Sequence, residues 1–121
     1  MILTIKSTNN NFTINFDNPL TCVEKMSLLG AVIEFPSSVI PSETYIYCDK
    51  IDSEKRLYNG KRKTLLALIC NRVSNQIAYD SKQTVNIPML ANDVGSLTFS
   101  LKDKDDIDIT FSSVVLEVEI I

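Results

Sequence analysis

The apolar residues of this chain recur mostly at every second position, and that spacing constrains the fold more than any other feature. Phe12, Ile14 and Phe16, for example, alternate with Thr13 and Asn15. A period of two puts one face of a β-strand in a core and leaves the other in solvent. No segment makes a convincing helix. The sequence therefore predicts an all-β protein.

Eight segments have the character of strands. They are Ile2–Ile5, Phe12–Phe16 (ended by Asp17-Asn18-Pro19), Lys25–Phe35, Thr44–Cys48, Thr64–Cys70, Gln76–Ile87 (split by Asp80-Ser81-Lys82), Ser96–Leu101 and Val114–Ile121. By periodicity alone Lys25–Phe35 also permits a helix. Its β-branched residues and the internal Gly30 favour a strand that is buried on both faces and carries a bulge.

The connections between these segments are polar or contain proline. Asp49–Lys63 is the most polar stretch, and we expect one long surface loop with a turn at Asn59-Gly60. Pro36–Ser42 is a connection, and Pro88–Gly95 is a loop with room for one helical turn. Lys102–Asp106 reads as a charged hairpin turn.

The chain has 121 residues, which is the length of one domain spanning 1–121. Eight antiparallel strands in this length are typical of a single jelly roll, in which two four-stranded sheets pack face to face. In that topology the first strand lies beside the last. An immunoglobulin-like sandwich is the alternative, but the tryptophan of its usual pattern is absent because the chain has none.

Composition excludes several chemistries. The chain has no histidine, which removes the Ser-His-Asp and Cys-His triads and the common zinc and non-haem iron sites. We therefore expect no enzyme, no cofactor and no metal. A net charge of −3 argues against direct binding of nucleic acid. No run of 18 apolar residues is present, so we expect no membrane span.

Three cysteines, Cys22, Cys48 and Cys70, are widely spaced and form no C-x-x-C pair. Their odd number argues against a disulfide framework and against a structural zinc site. We expect buried thiols that act as small hydrophobic side chains, in a protein made in a reducing compartment.

Three charged groups are candidates for a site, and each has a simpler structural explanation. The carboxylates Asp103, Asp105, Asp106 and Asp108 have the ligand type of a calcium site, but they lack the EF-hand glycine and distal glutamate, so a solvated turn is favoured. The basic residues Lys55, Arg56, Lys61, Arg62 and Lys63 suit an anionic partner, yet acidic neighbours favour a neutralised loop. Glu117 and Glu119 share a strand face about 6 to 7 Å apart, and paired carboxylates can hydrolyse glycosidic bonds, but many exposed strands have such a pair and no tryptophan is present to stack on a sugar.

Several short blocks carry a resemblance to a known group. The opening Leu3–Leu20 is similar to the start of proteins encoded by Polinton/Maverick elements, virophages and related small DNA viruses. Ile46–Asp52, Leu57–Lys61 and Leu65–Ile69 resemble a second block of those proteins. The ending, Asp108–Phe111 with Leu116–Ile120, resembles their final strand.

The resemblance implies a jelly-roll virion component, either a penton-like minor capsid protein or a vertex-associated protein. It implies self-assembly into a homo-oligomer, a pentamer or a trimer, beside other capsid proteins such as a major capsid protein. The expected location is the virion, after synthesis in the reducing cytoplasm or nucleus of a host cell. We expect Asp49–Lys63 and Pro88–Gly95 to make subunit contacts or to form an exposed vertex surface. A trimeric receptor- or glycan-binding module is the alternative.

Overall fold

The computed structural model describes residues 1–36, 41–70, 76–81 and 85–121. Its strands are β1 (Ile2–Ser7), β2 (Phe12–Leu20), β3 (Lys25–Glu34), β4 (Thr44–Cys48), β5 (Leu57–Tyr58), β6 (Lys61–Arg62), β7 (Leu65–Ile69), β8 (Gln76–Asp80), β9 (Ile87–Pro88), β10 (Val94–Lys102) and β11 (Ser113–Ile120). The described residues thus contain eleven strands, where the sequence predicts eight. The additional ones, β5, β6 and β9, have two residues each, which is too short to show an alternation.

The strands form two main antiparallel sheets. Sheet 1 has the order β1-β11-β3-β8, with β9 also paired to β3. Sheet 2 has the order β2-β10-β4-β7, and β5 pairs with β6 in a separate two-stranded hairpin. The first strand lies beside the last, as expected, with Ile2 opposite Glu119 and Ser7 opposite Val114.

The inward-facing side chains of both sheets form one hydrophobic core. Ile33 and Leu116 come from sheet 1, and Leu97 and Phe99 come from sheet 2; all four have no exposed surface. The Phe12 and Phe99 rings stack with centroids 5.6 Å apart. Burying a large apolar side chain stabilises the fold by about 1.5 to 3 kcal/mol. The arrangement is β-sandwich-like, and it is what the period-two alternation requires.

Strand β3 contains the bulge expected at Gly30. Glu117 of β11 is opposite Gly30 but Val118 is opposite Leu28, so Leu29 is the extra residue. A Cβ on Gly30 would lie 3.1 Å from the Tyr79 carbonyl oxygen, and glycine allows this close approach. Burial on both faces, however, was wrong for the second half of β3, where Val32 and Glu34 alternate outward.

The break predicted at Asp17-Asn18-Pro19 was also wrong, since β2 continues to Leu20. The turn-forming residues instead produce a wide irregularity. Asn15 is opposite Ser96, but Leu20 is opposite Val94, so four residues face the single Gly95. Pro19 has no N–H to donate, and an irregular edge strand tolerates this.

Asp49–Lys63 is not one open loop. It contains a 3₁₀ helix, Ser53–Lys55, and the β5–β6 hairpin, whose turn is at Asn59-Gly60 as predicted. Ile51 is only 1% exposed and pairs with Met89. Tyr58 packs edge-on against Tyr45 of β4, with centroids 5.6 Å apart. The hairpin therefore covers part of the outer face of sheet 2.

The remaining expectations concern the connections between strands, and two of them include residues outside the described ranges. Positions 37–40 of the expected Pro36–Ser42 connection lie outside them, as does Lys82 of the expected split in Gln76–Ile87. The helical turn considered within Pro88–Gly95 was wrong, because residues 89–93 connect β9 to β10 through an isolated bridge at Met89 and bends. No helix in the described ranges has the length and hydropathy to cross a membrane.

Candidate functional site

The acidic residues that follow β10 build the turn between β10 and β11. The Asp103 carboxylate accepts hydrogen bonds from the backbone N–H groups of Asp105 (2.8 Å) and Ile107 (3.1 Å). Asp106 sits at a φ of 63°, a conformation that aspartate tolerates. Among the described residues, no three His, Cys, Asp or Glu side chains are grouped to hold a metal ion. The cluster thus has the geometry of the predicted charged turn.

Asp108 closes the base of this turn. Its carboxylate accepts a hydrogen bond from the Asn11 amide at 2.9 Å and pairs with the Lys102 ammonium at 3.1 Å. The Asn11 bond, followed by the Lys102 bond, holds the pKa of Asp108 below its usual range. The same pairing raises the pKa of Lys102. Both groups are near the surface, so this pair adds little to stability.

The basic residues belong to the β5–β6 hairpin and the 3₁₀ helix before it. Arg62 pairs with Glu54 at 3.1 Å, and Lys55 lies 4.0 Å from Asp52. Arg56 instead donates its Nε–H to the Leu65 carbonyl at 2.9 Å, which ties the hairpin to β7. The expected neutralisation by acidic neighbours therefore holds for Arg62 and Lys55. In the described ranges Lys61 and Lys63 have no ion-pair partner.

Three tyrosines lie where the hairpin packs on sheet 2: Tyr58 belongs to the hairpin, and Tyr45 and Tyr47 belong to β4. The Tyr45 hydroxyl donates to the Glu43 carboxylate and lies 3.2 Å from the Tyr58 hydroxyl. These two hydrogen bonds, with burial, raise the pKa of Tyr45 above its ordinary value. Tyr47 follows on the same face of β4 and stays half-buried. The alternation in Thr44–Cys48 predicts this outward face, but nothing local predicts that a hairpin covers it.

The basic hairpin and the acidic turn meet in one open groove. Tyr47, Lys63 and Asp106 line it together with Ser53, Arg62 and Thr64, around a space of about 380 Å³. Tyr58 and Lys104 border an adjoining depression that shares Tyr47, Lys63 and Asp106. Two charged segments that are some 40 positions apart in the sequence thus form one surface. The sequence pattern of each segment does not predict this proximity. Its chemistry suits hydrogen bonding and charge recognition.

Glu117 and Glu119 share the outward face of β11, as predicted. Glu117 is exposed and lies opposite Gly30, and Glu119 lies opposite Ser27. In the described part of the chain neither carboxylate has an ion-pair partner. They lie on the outer surface of the sheet, where Glu117 borders a shallow hollow beside Gly30.

The cysteines differ from one another. Cys48 is fully buried and its thiol is an apolar core group, as expected; burial raises its pKa to about 12. Cys22 and Cys70 are exposed, so the expectation of burial was wrong for both. Cys22 lies between β2 and β3 with a φ of 57°, and Cys70 follows the last residue of β7. All three thiols are free.

Comparison with known proteins adds no relative to this description. No protein-family model matches the chain, and no curated protein is significantly similar to it.

Proposed function

We propose that this chain is a viral structural protein, a single jelly roll that assembles with copies of itself as a penton-like minor capsid or vertex-associated component of a virion. The proposal assigns it no catalytic residue and no cofactor. Its partners are further copies of the chain and other capsid proteins, such as a major capsid protein.

The strand order supports the jelly-roll part of the proposal. The eight strands of the two main sheets, without the short β9, pair first with eighth (β1·β11), second with seventh (β2·β10), third with sixth (β3·β8) and fourth with fifth (β4·β7). A jelly roll is such a ribbon of four antiparallel pairs wound into two sheets. The short strands β5, β6 and β9 are then additions within its connections.

The surface supports the structural part of the proposal. Several large apolar side chains are more than half exposed, among them Leu57 and Leu90 in the two segments expected to make contacts. A component that functions by assembly needs surface of this kind, which neighbouring subunits cover. The resemblance to virion proteins agrees with this interpretation.

Molar mass in solution tests the proposal. Sedimentation velocity and light scattering on the purified chain should give a discrete pentamer for a penton-like protein. A strict monomer at every accessible concentration would contradict self-assembly. Electron microscopy of the same sample should show rings with a central axis.

A trimeric receptor- or glycan-binding module is the second candidate, and the groove at Tyr47 favours it. Tyrosine rings with carboxylate and ammonium groups suit a sugar's apolar face and its hydroxyls. A trimeric mass, together with glycan-array binding that Tyr47→Ala abolishes, would support this alternative. A pentameric mass with no array signal would exclude it.

A further inference from the structure

The outer face of sheet 1 is predominantly acidic in the described residues. Its outward-facing carboxylates are Glu34, Asp80, Glu117 and Glu119. None of them has an ion-pair partner in the described ranges. The ammonium groups on the same face are Lys6, opposite Val115 on the edge strand β1, and Lys25 at the end of β3. An anionic surface without internal neutralisation is available to a cationic partner.

This acidic surface contains an apolar depression. The bulge at Gly30 leaves no side chain there, and a hollow of about 280 Å³ opens beside it. Leu29, Val32 and Val115 line the hollow, while Asp80 and Glu117 stand beside them. Val32 is 37% exposed although it lies on a central strand, opposite Val115. The face thus has an apolar centre and an anionic margin.

The β5–β6 hairpin has the opposite character. Residues 56–63 carry Arg56, Lys61, Arg62 and Lys63 and no carboxylate. Leu57 is opposite Arg62 in the ladder, and Tyr58, which alternates with Leu57, packs inward on Tyr45. Leu57 and Arg62 therefore share the side of the hairpin that faces away from the protein. Leu57 is 59% exposed. An exposed apolar side chain thus lies beside Arg62, which pairs with Glu54, and near Lys61 and Lys63, which have no ion-pair partner in the described ranges.

We propose that the chain associates head to tail: the β5–β6 hairpin of one copy docks on the outer face of sheet 1 of the next. Leu57 enters the hollow beside Gly30, and the hairpin cations meet Asp80 and Glu117. An apolar centre with a complementary charged margin is the usual anatomy of a protein interface. This inference rests on the proposed self-assembly and specifies which surfaces carry it.

The two surfaces belong to different sheets, so the contact is heterologous. The hairpin lies over β4 of sheet 2, whereas the hollow lies among β3, β8 and β11 of sheet 1. Each copy therefore offers one donor surface and one acceptor surface. A heterologous contact closes into a ring when the rotation between neighbours divides a full turn, as a pentamer requires.

Two surface substitutions, one in each half of the contact, test the inference. Leu57→Asp disables the hairpin, and Glu117→Lys disables the acceptor face; both side chains are exposed, so the fold should survive. Asp17→Lys is the matched control, because it makes the same charge change as Glu117→Lys on the exposed edge strand β2. Arg62→Glu and Asp80→Lys form a second pair, and circular dichroism verifies each fold.

We expect each single variant to lose the wild-type assembly and weaken association at least about tenfold, with the control unchanged. Mixed together, Leu57→Asp and Glu117→Lys should form a 1:1 dimer, because the first retains its acceptor face and the second its hairpin. The mass of this capped dimer by sedimentation or native mass spectrometry is the decisive measurement.

The other outcomes are distinguishable. If wild type is a monomer at all concentrations, both the proposed self-assembly and this contact are wrong. If wild type assembles and both variant pairs keep its mass, self-assembly stands and this contact is wrong. If the variants are monomers that do not pair on mixing, the contact is not head to tail, and the inference is overturned.

Discussion

One asparagine, Asn10, joins the β1–β2 turn to two distant segments, and its removal gives a sharp test of how this end of the sandwich is held. The amide Nδ2 donates to the carbonyls of Leu101 (2.7 Å) and Ile109 (2.8 Å). Oδ1 accepts from the N–H groups of Leu101 (2.9 Å) and Asn11 (2.8 Å). The side chain thus uses both of its donors and both of its acceptor positions.

Asn10→Ala removes three hydrogen bonds that span 91 or 99 residues of sequence. At a net contribution to stability of about 1 kcal/mol each, the three bonds contribute about 3 kcal/mol. Because water has partial access to the site, we expect the unfolding free energy to fall by about 2 to 3 kcal/mol. Asn10→Asp keeps the shape but turns a carboxylate oxygen toward two carbonyl oxygens. At neutral pH it should cost at least as much as alanine. Once protonated, it regains one donor and about 1 kcal/mol.

Urea unfolding followed by far-ultraviolet circular dichroism measures these losses at neutral pH and at about pH 3.5. Asn9→Ala is the control, because this exposed neighbour makes no side-chain hydrogen bond in the described ranges, and it should change stability by less than about 0.5 kcal/mol. If Asn10→Ala lowers the unfolding free energy no more than the control does, the Asn10 hydrogen bonds do not hold this end of the sandwich. The same conclusion follows if the unfolding free energy of Asn10→Asp does not rise relative to that of Asn10→Ala at low pH.

Three further predictions concern other parts of the molecule. The buried Cys48, whose pKa is raised to about 12, should resist iodoacetamide in the folded protein, while the exposed Cys22 and Cys70 react. Mass spectrometry should therefore find two adducts per chain before unfolding and three after it. The Lys102–Asp108 pair should stabilise the fold at pH values between the pKa of Asp108 and the pKa of Lys102. Its contribution is lost as pH falls through the lowered pKa of Asp108 and as pH rises through the raised pKa of Lys102. The difference in unfolding free energy between wild type and Asp108→Asn should therefore shrink at both extremes of pH. Tyr58→Ala should destabilise the protein by about 2 kcal/mol in thermal or urea unfolding, and Tyr58→Phe by less than about 1 kcal/mol, because the ring that covers Tyr45 carries most of the effect.

The period-two pattern predicted the main strands well because burial acts residue by residue along a strand. The alternation at Leu97, Phe99 and Leu101 appears unchanged in β10, with each of the three fully buried. Gly30 correctly indicated a bulge, although the group that a side chain there would meet is the Tyr79 carbonyl of the neighbouring strand β8. Local signals failed where a neighbouring strand decided the outcome. Pairing with β10 carried β2 past Asp17-Asn18-Pro19 and turned a predicted break into a bulge.

The covering hairpin shows why the candidate surfaces were harder to predict than the strands. Asp49–Lys63 is the most polar part of the sequence, yet Ile51 and Tyr58 anchor it to the protein through contacts with Met89 and Tyr45. Those contacts depend on the tertiary arrangement, which composition does not encode. For the same reason Cys70 was expected inside, since it continues an apolar run, but it lies just past the end of β7.

The position of β11 in sheet 1 affects how the protein folds during synthesis. Of the described strands it is synthesised after all the others, yet it lies between β1 and β3 in sheet 1. At a ribosomal rate of about 5 to 20 residues per second, β1 remains unpaired for roughly 5 to 20 seconds before its partner β11 is synthesised. Until β11 arrives, open strand edges are exposed to other nascent chains. Val115 and Glu117 complete the acidic face only at that moment, so a prematurely terminated chain lacks the acceptor half of the proposed contact. Synthesis would thereby exclude unfinished subunits from the assembly.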